Sequence, residues 1–205
     1  MTVDLKLLKG KNPEQKAVTY YFLDSGCLSM FTRMKDEKYE EMVMSRLEGL
    51  KLKQKALNKI GLDEDQLQEI EPIFLHGYNF DEDAYVRIGK DNNLRSSRYD
   101  GAWLFFSDTQ VYMYSHTFDM SSDYKKESTE EYFYKDITNF STVSETTEAI
   151  HEGGCMGGEP TKTLREYSRF SLVVPGDKFY CSISGVDDAE RSITAMKQKL
   201  REKKL

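Results

Sequence analysis

The apolar periodicity changes at Glu71-Pro72, and no other feature of the sequence constrains the fold as much. Before that point the spacing is helical. Tyr39, Val43, Leu47, Leu50, Leu57 and Ile60 recur at steps of 4, 4, 3, 7 and 3, one stripe of a 3.6-residue period over Lys35 to Ile60. Acids dominate the first half of this helix and lysines the second, which suits its dipole, and Gly61 stands where a C-terminal cap belongs. Glu14 to Leu23 reads as a shorter helix, and Asp63 with Gln66 resembles a capping box opening another. After Pro72 the period becomes 2. Short strands are predicted at Ile73–Tyr78, Ala84–Ile88, Tyr132–Ile137 and Phe140–Val143. A hairpin is predicted from Gly101–Ser107 and Val111–Phe118, and a second from Phe170–Val174 and Phe179–Ile183 about Pro175-Gly176-Asp177. A closing helix follows, with Asp187 and Glu190 as a capping box and Ala189, Ile193, Met196 and Leu200 as its stripe. Ser144 to Tyr167 lacks apolar patterning and holds Gly153-Gly154-Cys155-Met156-Gly157-Gly158, so it is expected to be a flexible insertion.

The 205 residues suit one domain or one domain with an appendage: a helical region over 1–72 and a β domain with a C-terminal helix over 73–205. Thirteen Tyr and 11 Phe give enough bulk for a core. The net charge of −6 is unevenly placed. Residues 73–185 carry 11 bases against 18 acids, a net of −7, which argues against nucleic acid and against an anionic membrane as partners. The three cysteines, Cys27, Cys155 and Cys181, form neither a disulfide framework nor a zinc spacing. Met1 to Lys6 lacks the apolar run of a secretory signal, and no stretch approaches a membrane span. A cytoplasmic protein without cofactor or metal is the expectation.

Trp103-Leu-Phe-Phe-Ser-Asp-Thr-Gln-Val-Tyr-Met-Tyr114, then Tyr132-Phe-Tyr-Lys-Asp-Ile137, then the Phe170–Ile183 hairpin and the closing helix follow one another in order. Over about residues 84–204 this order resembles bacterial pleckstrin-homology-like or GRAM-like domains. The resemblance implies an α+β fold, an antiparallel β-barrel or sandwich capped by the C-terminal helix. It also implies that Lys90 to Asp100 is the loop joining the first two core strands, where lipid-binding relatives carry basic residues. The lone Trp lies in a strand (Trp103), where that family carries one in the closing helix.

Arg95, Ser96, Ser97 and Arg98 are therefore the candidate anion or headgroup residues, since two guanidinium groups and two hydroxyls can hold a phosphate or carboxylate through charge-assisted bonds. The plainer reading pairs them with nearby acids. His151 and Cys155, with Glu152 and Glu159, are the candidate catalytic cluster, but one His and one Cys make neither a zinc site nor an activated thiol. Gly153 and Gly158 match the spacing of a phosphate loop, yet Glu159-Pro160 stands where Lys-Ser/Thr is required, which excludes it. His76 and His116 read as structural, Asp81-Glu82-Asp83 as a solvated turn, and Cys181 as a core residue. Met30, Met34, Met42 and Met44 form an adaptable apolar cluster, with Met42 and Met44 the candidate partner surface. The function expected is noncatalytic: recognition of a protein partner, with anion binding at Arg95/Arg98 and an enzyme using Cys155/His151 as alternatives.

Overall fold

The computed structural model describes residues 4–23, 33–61, 71–151, 161–183, 193–198 and 201–202. Among the described residues a 3-10 turn (Leu5–Leu8) and three α-helices precede the strands: α1 (Pro13–Leu23), α2 (Asp36–Gly49) and α3 (Leu52–Ile60). Asn12 and Gln15 cap α1 reciprocally, each side chain accepting the other's backbone N–H at 2.8–3.0 Å, with Pro13 at the first helical position. The single helix expected over Lys35 to Ile60 is two. Lys51 takes the left-handed conformation (φ 48°, ψ 50°), and the axis turns there so that both halves lie on one sheet. Gly61 caps α3 with φ 73°, as its sequence position foretells.

Nine strands follow among the described residues: β1 (Ile73–Asn79), β2 (Val86–Ile88), β3 (Leu94–Ser96), β4 (Arg98–Phe106), β5 (Gln110–Asp119), β6 (Lys125–Phe133), β7 (Asn139–His151), β8 (Thr161–Val174) and β9 (Asp177–Ser182). One antiparallel sheet has the order β1-β4-β5-β6 and the second has β3-β2-β7-β8-β9, antiparallel save for one parallel pairing of Arg87 with Ile150. The fold is α+β, and the two sheets stack without closing into a barrel.

The first sheet is the middle of three layers. On β4, Ala102, Leu104 and Phe106 point toward the second sheet, where they meet Phe140, Phe170, Leu172 and Phe179. Ile193 and Met196, within the helical residues 193–198, join that inter-sheet core. The alternate residues of β4 and β5, among them Phe105, Tyr114 and Phe118, face the other way and form a second core with Val18, Tyr39, Val43, Leu47, Leu52 and Ala56 of the helices. Burying each such aliphatic or aromatic side chain contributes about 1.5–3 kcal/mol, so this layer is integral to the fold. The helices α1, α2 and α3 differ from the rest in element type, but their apolar faces share a core with the first sheet.

Two strand expectations need correction. The two flanks of the stretch 144–167 are strands: Ser144 to His151 pair residue for residue with Thr161 to Ser168 as the outer half of the β7–β8 hairpin, while residues 152–160, with the Gly-rich run, lie outside the described residues. Ser, Thr and Glu occupy both faces there, so the sequence shows no apolar alternation, yet Thr is a good strand former. The strand expected at Tyr132–Ile137 lies earlier, at β6, while Tyr134–Asp136 is a 3-10 turn that sends Tyr134 and Ile137 into the core. β6 is an edge strand rich in Lys and Glu, which guards an open edge and hides its periodicity. The proposed capping boxes at Asp63/Gln66 and Asp187/Glu190 lie outside the described residues, as do Cys27 and Met30.

Candidate functional site

The segment from Lys90 to Asp100 is not one loop. It holds the end of a turn, all of β3 and the start of β4, and Arg95, Ser96, Ser97 and Arg98 are all buried. Arg95, 1% exposed, lies over Gly89, where a Cβ would collide with its guanidinium. It donates to both oxygens of Asp91 at 2.7 and 2.6 Å and to Glu40 Oε1 at 2.6 Å. The hydrogen bonds from Arg95 hold the Asp91 carboxyl well below the usual carboxylate range. The Ser96 carbonyl accepts from Tyr39 Oη–H at 2.6 Å, and Ser97 Oγ accepts from the Tyr85 N–H at 3.1 Å. Arg98 donates to Asp119 Oδ2 at 3.3 Å and stacks 4.3 Å from the Tyr124 ring centre. The structure thus brings the four residues together as an internal staple between α2, the β2–β3 hairpin and the β5–β6 turn. The plainer sequence reading, arginines paired with acids, is the one these contacts match.

Met42 and Met44 are two residues apart on α2 and therefore do not share a face. Met42 lies beside Glu14 and Arg46, whereas Met44 turns toward β1. There it borders a groove that sequence reasoning missed. The alternate residues Phe74, His76 and Tyr78 of β1, continued by Phe80, line the floor of two cavities of about 620 and 540 Å³ that meet at Met44 and His76. In the first cavity Tyr78 and Tyr99 make an edge-to-face pair with centroids 5.0 Å apart, and His76 Nδ1 lies 2.7 Å from the Tyr99 hydroxyl. Across from them Phe80 and Tyr167 lie 4.7 Å apart, and the Tyr167 hydroxyl donates to Glu145 at 2.6 Å. Burial and that carboxylate push the Tyr167 phenol up to about 12. Burial lowers the pKa of His76, keeping its ring neutral at pH 7. The second cavity is lined by Leu47, Leu52, Leu57 and the stacked rings of Phe74 and Trp103, 4.9 Å apart, with Lys53 Nζ 5.7 Å over the indole. The period-2 run Phe74, His76, Tyr78, Phe80 was the available signal; that its outer face is only partly covered depends on where α2 and α3 come to rest.

His151 is the last residue of β7 and pairs with Thr161, while Glu152, Cys155 and Glu159 lie outside the described residues. Cys181 is buried, and burial pushes its thiol well up, the opposite of what a nucleophile needs. His116 is buried beside Glu127, its Nδ1 3.2 Å from Oε1. Asp100 is a buried polar centre with no periodic signature. Its oxygens accept from Asn79 Nδ2 at 3.1 Å, Thr117 Oγ1 at 2.8 Å and Ser182 Oγ at 2.9 Å, tying β1, β4, β5 and β9 together. Among the described residues no group of three or more His, Cys, Asp or Glu is placed to hold a metal ion, and no helix is long and apolar enough to cross a membrane.

Comparison of the chain with protein-family models, with curated proteins and with solved structures gives no match in any of the three.

Proposed function

We propose that this chain is a noncatalytic binding module that recognises a segment of a partner protein in the groove along β1. The observation that carries the reading is the meeting of the two cavities at Met44 and His76, which makes one aromatic-lined trough between α2–α3 and β8. An extended or helical peptide fits such a trough, with an apolar anchor against Phe74 and Trp103 and polar contacts at either end. A flexible thioether at the midpoint adapts to differing side chains. The pleckstrin-homology-like reading of residues 84–204 belongs with this proposal. What supports it is the order of elements within that range, the antiparallel β4-β5-β6 meander and then the β7-β8-β9 meander followed by the helical residues 193–198, and folds of that plan carry ligand sites of many kinds.

Peptide display against the full chain tests the proposal. Enriched peptides should move the NMR signals of Met44 and Trp103, and Met44→Lys should weaken them at least tenfold while leaving the fold intact. Peptides that bind Met44→Lys as well as the natural chain would place recognition elsewhere and overturn the groove assignment.

A further inference from the structure

We infer that the first cavity of this groove seats a cationic side chain, an arginine or lysine of the bound protein segment; the inference rests on the groove being the recognition surface. Two aromatic pairs from different elements border the cavity, Tyr78 with Tyr99 on one side and Phe80 with Tyr167 on the other. Ring faces attract a cation within about 6 Å of their centroids, and more strongly where water is excluded. Carboxylates complete the arrangement. Glu40 enters from α2 and Glu166 from β8, and among the described residues no lysine or arginine lines this cavity. Two guanidinium groups flank the cavity and each is already held by two carboxylates: Arg95 by Asp91 and Glu40, and Arg169 by Glu145, which also accepts the Tyr167 hydroxyl, and by Asp81 at 3.7 Å. His76 is neutral at pH 7 and adds no opposing charge. A volume of about 620 Å³ is well within the range of roughly 300–1,000 Å³ for ligand sites.

The neighbouring cavity decides between a side chain and a free small cation. The cationic seat runs into the trough lined by Leu47, Leu57, Phe74 and Trp103, which a lone ammonium ion would leave empty. Among the described residues that trough carries Lys51 and Lys53 against one acid, Glu48, so the two ends of the groove differ in sign. A segment laid along β1 is therefore oriented, with its basic residue between Tyr78 and Tyr167 and any acidic residue beside Lys51 and Lys53.

The test titrates the full chain with N-acetyl-arginine methylamide and N-acetyl-lysine methylamide, with the citrulline and norleucine amides as uncharged controls, and with tetramethylammonium as the free cation. Amide and side-chain NMR shifts are followed. The charged amides should move Tyr78, Tyr99 and Tyr167, with the uncharged ones about tenfold weaker. Glu166 is exposed, so Glu166→Gln should leave the fold unchanged and weaken the arginine amide several-fold. Equal binding of charged and uncharged amides, or no effect of Glu166→Gln, overturns the inference. Shifts produced by tetramethylammonium but by neither amide also overturn it, in favour of a free cation. Displayed peptides that move Met44 and Trp103 yet carry no basic residue overturn this inference and leave the groove reading standing. Failure of every peptide to move Met44 or Trp103 removes both.

Discussion

Arg95 on β3 is 1% exposed and donates to Glu40 on α2 at 2.6 Å, although Glu40 itself is 44% exposed. The guanidinium is committed to the interior while both of its acids, Glu40 and Asp91, reach solvent. This lopsided pairing fixes which substitution does the greater harm.

Removing the cation should be the milder change. Arg95→Met leaves two carboxylates that water can solvate, and the expected loss is about 1–3 kcal/mol. The double variant Glu40→Gln/Asp91→Asn strands a buried guanidinium among neutral acceptors, with an expected loss of about 3–5 kcal/mol. Urea unfolding orders the two; the reverse order would mean that the Arg95 head group reaches water.

Acid should weaken the fold in two steps. Burial is the largest influence on both His76 and His116 and lowers their pKa values, with Glu127 opposing and Lys55 and Lys125 assisting at His116. A base whose folded pKa is depressed leaves the unfolded chain binding more protons, so stability is complete above pH 6.5 and declines as pH falls below it. Asp91 contributes stability that is present above its unfolded pKa of about 3.9 and is lost further into acid. Urea midpoints from pH 8 to 5 should fall, and the His76→Gln/His116→Gln pair should flatten that decline; an unchanged slope in the pair would assign it to other groups.

A methyl group at Gly77 should cost more than one at Gly101. At Gly77 a Cβ would lie 2.8 Å from the backbone of Ile183, which can shift only if β9 moves off β1. At Gly101 it would meet Leu52 Cδ1 at 2.7 Å, the tip of a side chain able to rotate. Gly77→Ala is expected to destabilise by about 2–3 kcal/mol and Gly101→Ala by about 1 kcal/mol. Thermal melts of the two variants give the comparison, and equal losses would show that β9 yields readily.

The helical layer and the sandwich should unfold together. Leu52 is 4% exposed in the core shared by α3 and the first sheet, and Leu52→Ala is expected to cost about 2–5 kcal/mol. In that variant the helical signal at 222 nm and the methyl resonances of Leu172, between the sheets, should be lost at one urea concentration. Two separate midpoints would show the helices folding on their own.

Much of the fold could be read because its periodicities were clean. Tyr39, Val43 and Leu47 are buried as the helical stripe requires, and the β4–β5 and β8–β9 hairpins fall where period-2 runs flank a turn, with Gly176 at φ 87°. What could not be read depends on partners distant in sequence. Arg95 resembles a loop cation until α2 brings Glu40 beside it, 55 residues earlier in the chain. The second cavity joins the groove at Met44 and His76 because the left-handed Lys51 swings α3, with Leu52 and Leu57, onto the first sheet. The outer half of the β7–β8 hairpin was hidden for another reason. Glu145 and Tyr167 face each other on it as a hydrogen-bonded pair, so polar groups do the work that apolar alternation does elsewhere.

The two cores also differ in when synthesis can complete them. The core under the helices draws on residues from Val18 to Met120 and is whole once β5 has left the ribosome. The opposite face of that same sheet, with Leu75, Leu104, Phe106 and Met113, waits for Phe170, Leu172 and Phe179. At ~5–20 residues per second that interval is several seconds. For that time the nascent chain carries one finished apolar face and one bare one, which makes this sheet the natural docking point for a ribosome-associated chaperone and the first place to look when expression yields aggregate.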